Sequence, residues 1–442
     1  MTKRLGNIWE MLVSYDNIKR AYQNSRKGKT HRPDVRKVDE DPERYIKSIQ
    51  TMLVDGTYHT SPYRMFEIHE KGKTREVADL PYYPDRIIHW ALMQVLHDMV
   101  MRNLIPQTYA ALPERGAHQG LTKLKQYLRD PQAKYYLKLD IRKFFPSIDK
   151  DVMMDKIEAR VKDKDVLDLC ARIIYEYPYG GLPIGNYTSQ YFANFYLSDL
   201  DHYMKEEFHC RWYLRYMDDI IILGWSKPWL RCALRKIGEI IAPWGLEVKD
   251  NWCIRPVTEG VDWVGYVTFP DHCLLRKRTK IRLKRACRRI RRKWAEGHEP
   301  DLHDRGVLAA YNGCLEWCNG HYLGKQTVYP LMEEYKWRSS KQEAQRHRQR
   351  SSQGLPWSSS TATRARRPSR TSVARAVWDA STRSTASKQG NTTSYAPGSS
   401  RTEPYGMRNS AGSRGPRSWM RRTSTSPRPR TTSHRARTGP SA

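Results

Sequence analysis

Apolar residues recur at helical spacing through the first sixty positions of the chain. Ile8, Trp9, Leu12 and Val13 form one stripe, and Tyr45, Ile46, Ile49, Met52 and Leu53 form a second, so this stretch is predicted to be mainly helical. Between them lies the basic loop Arg26-Lys27-Gly28-Lys29-Thr30-His31-Arg32-Pro33, open to phosphate but equally a solvated surface loop. From Tyr63 the period changes to two. Tyr63-Arg64-Met65-Phe66-Glu67-Ile68 alternates as a strand, Lys71-Gly72-Lys73 turns, and Thr74-Arg75-Glu76-Val77 returns, giving a hairpin with a basic tip. A helix carrying Ile87, Ile88, Trp90, Ala91, Met93 and Leu96 follows.

The middle of the chain alternates strand and helix. Tyr135-Tyr136-Leu137-Lys138-Leu139-Asp140-Ile141 reads as a strand ending near an acid. Ser147 is placed to cap a helix bearing Val152, Met153, Ile157 and Val161. Gly180-Gly181-Leu182-Pro183-Ile184-Gly185-Asn186 is a turn-rich loop, and one helix is expected from Tyr187 to Met204. Tyr213-Leu214-Arg215-Tyr216 and Ile220-Ile221-Ile222-Leu223 read as two strands, with Asp218-Asp219 as the hairpin turn between them. Further on, Leu230 to Ile241 predicts an amphipathic helix and Val261 to Val267 a strand. Lys277 to Trp294 predicts a basic helix with a narrow apolar face of Leu283, Cys287, Ile290 and Trp294.

Charge adds a partner to this outline. The 442 residues carry a formal net charge of +31, which calls for a polyanion. From Ser339 onward 21 Lys+Arg stand against 3 Asp+Glu, which accounts for +18 and leaves +13 on the rest. A basic body therefore survives without the tail. In that tail Leu355 is the only leucine and isoleucine is absent, so residues 339–442 are expected to be a disordered, low-complexity basic segment, either an RNA-binding tail or the product of a shifted frame. Eight scattered cysteines, with no signal peptide and no membrane-length apolar run, point to a reduced, cytoplasmic protein without a membrane partner. Cys314, Cys318 and His321 have a spacing that fits one helical face better than a zinc site, since no second ligand pair is present.

The candidate chemistry lies in the acids. Asp140 closes one strand and Asp218-Asp219 sits between two others, and carboxylates beside buried strands are costly unless a cation compensates them. Oxygen ligands suit Mg²⁺, and two such ions stabilise the attacking and leaving oxygens of an in-line phosphoryl displacement. A lone Asp-Asp pair is more often an ordinary acidic turn, so its meaning depends on Asp140. In the helix from Lys277, Glu296 is the first acid after Asp271, so Arg282, Arg285, Arg288, Arg289 and Arg292 are candidates for a nucleic-acid backbone rather than for surface ion pairs.

Taken in order, these blocks resemble the reverse transcriptases of bacteria and their phages over roughly residues 1–338. Leu139-Asp140-Ile141-Arg142-Lys143-Phe144-Phe145 resembles the first palm motif, Tyr216-Met217-Asp218-Asp219 the second metal-binding motif, and Val264-Gly265-Tyr266 the palm–thumb junction. The resemblance implies an α+β, right-hand polymerase fold: N-terminal helices and fingers over 1–134, a palm with an antiparallel sheet over 135–268, a helical thumb over 269–338, and the tail beyond. It implies that Asp140 and Asp218 hold two Mg²⁺ ions, with Mn²⁺ able to substitute, and that Asp219 completes the site. Lys73 and Arg75 match the residues that hold the triphosphate, with Ile141, Arg142, Ile184, Gly185 and Gln190 also lining the nucleotide site. Phe145 matches the gate that excludes a ribose 2′-hydroxyl, although core packing is its plainer role. The implied partners are an RNA template, the RNA/DNA hybrid and deoxynucleoside triphosphates.

Ile184-Gly185-Asn186-Tyr187-Thr188-Ser189-Gln190 narrows the resemblance. Most reverse transcriptases have Gln-Gly-x-x-x-Ser-Pro here, and the aliphatic first position with a final Gln is similar to the enzymes of diversity-generating retroelements. That subfamily implies error-prone copying of template adenines and a small basic accessory protein. Leu5-Gly6-Asn7-Ile8-Trp9-Glu10 and the segment from Tyr311 to Cys318 are compatible with it. An antiphage-defence or retron-type enzyme is the alternative within the same chemistry, and a catalytically inactive RNA-binding scaffold the alternative outside it. The family's Lys after Gly-Leu has no clear counterpart: Lys249 is the nearest after Gly245-Leu246 and Trp252 stands where it commonly falls, so the general acid is unassigned.

Overall fold

A five-stranded sheet organises the chain, and the computed structural model describes residues 4–70 and 73–352 around it. Four helices come first: α1 (Trp9–Val13), α2 (Tyr15–Ser25), α3 (Pro33–Glu40) and α4 (Pro42–Val54). Their starts follow local chemistry. Ser14 accepts from the Asn17 amide, Asp41 accepts from the Arg44 amide, and Pro33 and Pro42 stand where a missing N–H costs nothing. Next, β1 (Arg64–Glu70) and β2 (Lys73–Asp79) pair antiparallel as the expected hairpin, whose tip at residues 71–72 lies outside the described residues.

α5 (Ile87–Asn103) leads to β3 (Thr108–Tyr109), α6 (Ala117–Leu128) and β4 (Tyr135–Asp140). After β4 come α7 (Phe144–Ser147), α8 (Lys150–Glu158) and α9 (Lys164–Tyr175). The cap of α8 is Asp149, which accepts from the amides of Asp151 and Val152, whereas Ser147 closes α7 and donates to the Arg142 carbonyl. A carboxylate at that position also complements the helix dipole, which a hydroxyl does not.

The single helix expected from Tyr187 to Met204 is broken into α10 (Tyr187–Tyr196) and α11 (Ser198–His202). The Ser198 hydroxyl donates to the Phe195 carbonyl at 2.7 Å, a local bond that competes with the helical ladder. Then β5 (Tyr213–Tyr216) and β6 (Asp219–Gly224) form the acidic hairpin, followed by α12 (Lys227–Ile241) and β7 (Cys253–Pro256). Tyr216 pairs with Asp219, so the turn residues are Met217 and Asp218, not Asp218 and Asp219.

The sheet order is β3-β5-β6-β4-β7, with β3 parallel to β5 and every other pairing antiparallel. Alternation along the strands sends side chains into two cores. Leu137, Leu139, Ile220 and Ile222 join the N-terminal helices, α8 to α10 and α12 on one face. Tyr136, Leu214, Ile221 and Leu223 join α6 and the C-terminal elements on the other. Each fully buried Ile or Leu contributes about 1.5–3 kcal/mol, so a one-residue register slip would be strongly opposed.

The strand expected from Val261 to Val267 is a hairpin, β8 (Val261–Trp263) and β9 (Tyr266–Thr268), extended by β10 (Cys273–Leu275). Val264 and Gly265 both have positive φ, 40° and 92°, as a two-residue primed turn requires. Four helices complete the description: α13 (Lys277–Ala295), α14 (Leu302–Glu316), α15 (His321–Gln326) and α16 (Val328–Ser352). The last runs past Ser339, where the tail was expected to begin, and residues 353–442 lie outside the described residues.

Candidate active site

Asp140 ends β4 directly opposite Asp219, which begins β6. Cross-strand partners share a face, so both carboxylates project on the side of the second core, together with Lys138 two residues back. Asp218 sits in the turn beside them, within hydrogen-bonding reach of Asp140. Burial, then the Asp140 charge and hydrogen bond, push Asp218 well above the usual carboxylate range. Burial also pushes Asp219 up to about 7, with Lys138 and Arg276 opposing the rise and Asp140 and Asp262 adding to it.

The acids are partly compensated by cations at their edges. Lys249 Nζ stands 3.5 Å from Asp140 Oδ2, and Lys138 Nζ stands 3.8 Å from Asp219 Oδ2 while donating to the Asp262 carbonyl at 2.6 Å. Lys249 arrives there because its amide donates to the Asp140 carbonyl at 2.9 Å and the Arg142 amide donates to Glu247 at 2.8 Å. Asp219 Oδ1 is buried with no hydrogen-bond partner. An orphaned carboxylate oxygen beside two mutually repelling acids fits a divalent cation, whose charge would satisfy all three. Among the described residues no three His, Cys, Asp or Glu side chains are grouped so as to hold a metal ion by themselves. Mg²⁺ seldom needs one, since it is commonly held by one or two carboxylates plus substrate phosphates and water.

A second group of expected residues meets through the backbone. The Ala78 amide of β2 donates to the Ile184 carbonyl at 2.9 Å, and the Leu182 amide donates to the Phe145 carbonyl at 2.9 Å. Asn186 Nδ2 donates to the Tyr63 hydroxyl at 2.9 Å. The hairpin, the 180–186 loop and α7 thus form one wall. Gly185, at φ 129°, is needed here because a Cβ would collide with the Ala78 carbonyl. Ile184, Gln190 and Phe145 are half-buried and Arg75 is exposed. Ile141 is buried in the first core, and Arg142 forks to Glu247 and Asp250. The backbone of Lys73 pairs with Glu70, but its side chain lies outside the described residues.

Along α13, Arg282, Arg285, Arg288, Arg289 and Arg292 are all exposed, while Leu283, Cys287, Ile290 and Trp294 are buried. Arg292 also stands 3.6 Å from Glu296. Cys314 and Cys318 make no metal set: the Cys318 thiol lies 3.7 Å from the Cys314 carbonyl and 3.6 Å from that of Leu315. Three basic residues near the acids went unread in the sequence, Lys138, Arg215 and Arg276. The available signal was parity: Arg215 shares the buried side of β5 with Tyr213, and a charge there calls for a buried partner.

Residues 68–268 match the reverse transcriptase (RNA-dependent DNA polymerase) family. The chain is 27% identical over 212 residues to the group II intron-encoded protein LtrA of Lactococcus lactis subsp. cremoris, covering 45% of this chain and 35% of that protein. It is 29% identical over 201 residues to the retron Ec73 reverse transcriptase of Escherichia coli, covering 41% of this chain and 60% of that one. It thus spans about a third of the intron protein and three fifths of the retron protein. Among solved structures, apo telomerase from Candida tropicalis aligns with a TM-score of 0.36 at 12% identity, over 52% of each chain.

Proposed function

We propose that this chain, a right-hand polymerase fold with a reverse transcriptase-family domain over residues 68–268, copies RNA into DNA. The observation that carries the reading is the convergence of Asp140, Asp218 and Asp219 at one end of the central sheet, with an orphaned oxygen on Asp219. Asp140 and Asp218 would hold Mg²⁺, which supplies charge neutralisation for the attacking 3′-oxygen and the departing pyrophosphate. The protein's own part is to orient these carboxylates, to line the nucleotide site with Phe145 and Ile184, and to hold the hybrid along α13. Residues 1–134 would serve as fingers, 135–268 as palm and 269–338 as thumb.

More narrowly, we assign the enzyme to a diversity-generating retroelement, copying adenines with errors and working with a small basic accessory protein. The support is Ile184 in place of the usual amide. The likeness to the retron reverse transcriptase favours a second reading, a retron or defence enzyme. Primer extension on a defined RNA by the full chain, with Asp218→Asn as control, tests the activity. A template repeat and a variable repeat in neighbouring DNA would separate the two elements, and absence of RNA-templated extension would leave the scaffold reading.

A further inference from the structure

The turn that carries Asp218 rests on a fully buried ion pair, Arg215 with Asp201 of α11. Every N–H of the guanidinium is engaged. Nε donates to Asp201 Oδ1 and Oδ2 at 2.8 and 3.0 Å, and NH2 donates to Asp201 Oδ2 at 2.6 Å and the Asn194 carbonyl at 3.0 Å. NH1 donates to Asn194 Oδ1 at 3.2 Å and the Met217 carbonyl at 3.0 Å. Asp201 also accepts from the Tyr213 hydroxyl at 2.7 Å and from Thr108 Oγ1 at 2.9 Å.

The bond to Met217 gives this network its consequence. Met217 has φ 57°, a left-handed conformation that a residue with a Cβ adopts only when its surroundings enforce it. Here both its backbone groups are claimed, the carbonyl by Arg215 and the amide by the Tyr109 carbonyl at 3.4 Å. Asp218 is the next residue. A buried ion pair adds little net stability over well-packed apolar residues, so the fold alone does not account for one under this turn.

We propose that the Arg215–Asp201 pair is a positioning device that locks the Met217 turn, presents Asp218 to Asp140, and so sets how tightly these acids hold a divalent cation. The inference rests on the polymerase reading for the use of that cation, not for the geometry. Lysine would keep the charge but lacks the fork that serves Asp201, Asn194 and Met217 at once.

The test uses the full chain as parent, as Arg215→Lys, and as the double variant Arg215→Met with Asp201→Leu. Mn²⁺ binding without nucleic acid is followed by electron paramagnetic resonance, with Asp218→Asn defining the site. Both variants should fold by circular dichroism and bind Mn²⁺ about ten- to a hundredfold more weakly, as changes behind a metal ligand usually do. The Mg²⁺ needed for half-maximal extension should rise in step while the deoxynucleotide KM stays put. Parent-like Mn²⁺ binding in a folded variant, a double variant that cannot fold, or a parent with no Asp218-dependent binding each overturns the proposal. Parent binding that weakens as expected in the variants, with no primer extension by any protein, would sink the polymerase reading alone.

Discussion

The Leu182 amide donates to the Phe145 carbonyl, and this bond holds the 180–186 loop against α7. Gly181 sits at φ 72° against the same carbonyl, where a Cβ would collide with it. The backbone at Phe145 is therefore fixed from outside its own helix, while its ring is only half-buried and packs edge-to-face on Phe144 at 5.7 Å. Phe145→Val should keep that backbone and, if the ring is the gate proposed for it, remove the bulk that excludes a 2′-hydroxyl. Ribonucleotide incorporation relative to deoxynucleotide should rise about tenfold or more, the scale of a pocket that loses a steric wall. An unchanged ratio in a folded variant would make Phe145 a packing residue.

Asp218→Asn should abolish extension while leaving the fold and RNA binding near normal. Beside Asp140 the raised Asp218 carboxyl is held protonated when no cation is present, and an amide resembles that neutral form while lacking the charge a cation needs. Activity should drop by more than the roughly hundredfold seen when residues behind a ligand are altered. Single-turnover extension at saturating Mg²⁺ measures it, and near-parental rates would remove Asp218 from the catalytic set.

How far the sequence spoke for this site depends on how local each feature is. Asp140 at a strand end and the two strands flanking Asp218 were legible because alternation and β-branched runs act over a few residues. The turn register was not, because Met217 holds its positive φ through Arg215 and Tyr109, which no local propensity encodes. Val264 hid its turn in the same way, a β-branched residue at φ 40° inside an apolar run. The contact between Ala78 and Ile184 joins positions far apart in the chain, and only the fold brings them together.

Acid should destabilise the folded chain partly through His118. Burial, with the Lys125 charge adding to it, lowers His118 to about 4 from its ordinary 6.5. Its ring stacks on Trp317 at 4.3 Å. Between pH 6.5 and 4 the unfolded chain holds a proton that the folded chain refuses, so stability falls as pH drops through that window. His118→Phe keeps a stacking ring and removes the titration. The urea midpoint should then differ less between pH 7 and pH 5 than it does in the parent, and an equal difference would exclude His118 as a contributor.

The exposed arginines of α13 should announce themselves in salt dependence. Replacing Arg282, Arg285 and Arg289 with Ala leaves the buried face of Leu283, Cys287, Ile290 and Trp294 intact. If each neutralises a phosphate, the slope of log K against log salt for an RNA/DNA hybrid should fall by about 1 per residue. Affinity should weaken evenly across sequences. A slope equal to the parent's would place the hybrid elsewhere.

Ile184 separates the retroelement reading from its rival. Its carbonyl is held by the Ala78 amide, so a substitution there alters the side chain while the backbone stays anchored. On the proposed reading this side chain lies against the incoming nucleotide, and an apolar group there cannot make the hydrogen bond that an amide would. Such a bond is worth roughly 0.5–1.5 kcal/mol, or about two- to twelvefold in discrimination. Ile184→Gln should lower misincorporation opposite template adenine by that factor and opposite the other bases by less. Total extension should change little, because Asp140, Asp218 and Phe145 are untouched. Sequencing DNA copied from one RNA by both proteins measures the ratio directly, and equal adenine error would remove Ile184 as the fidelity determinant and favour the retron or defence reading.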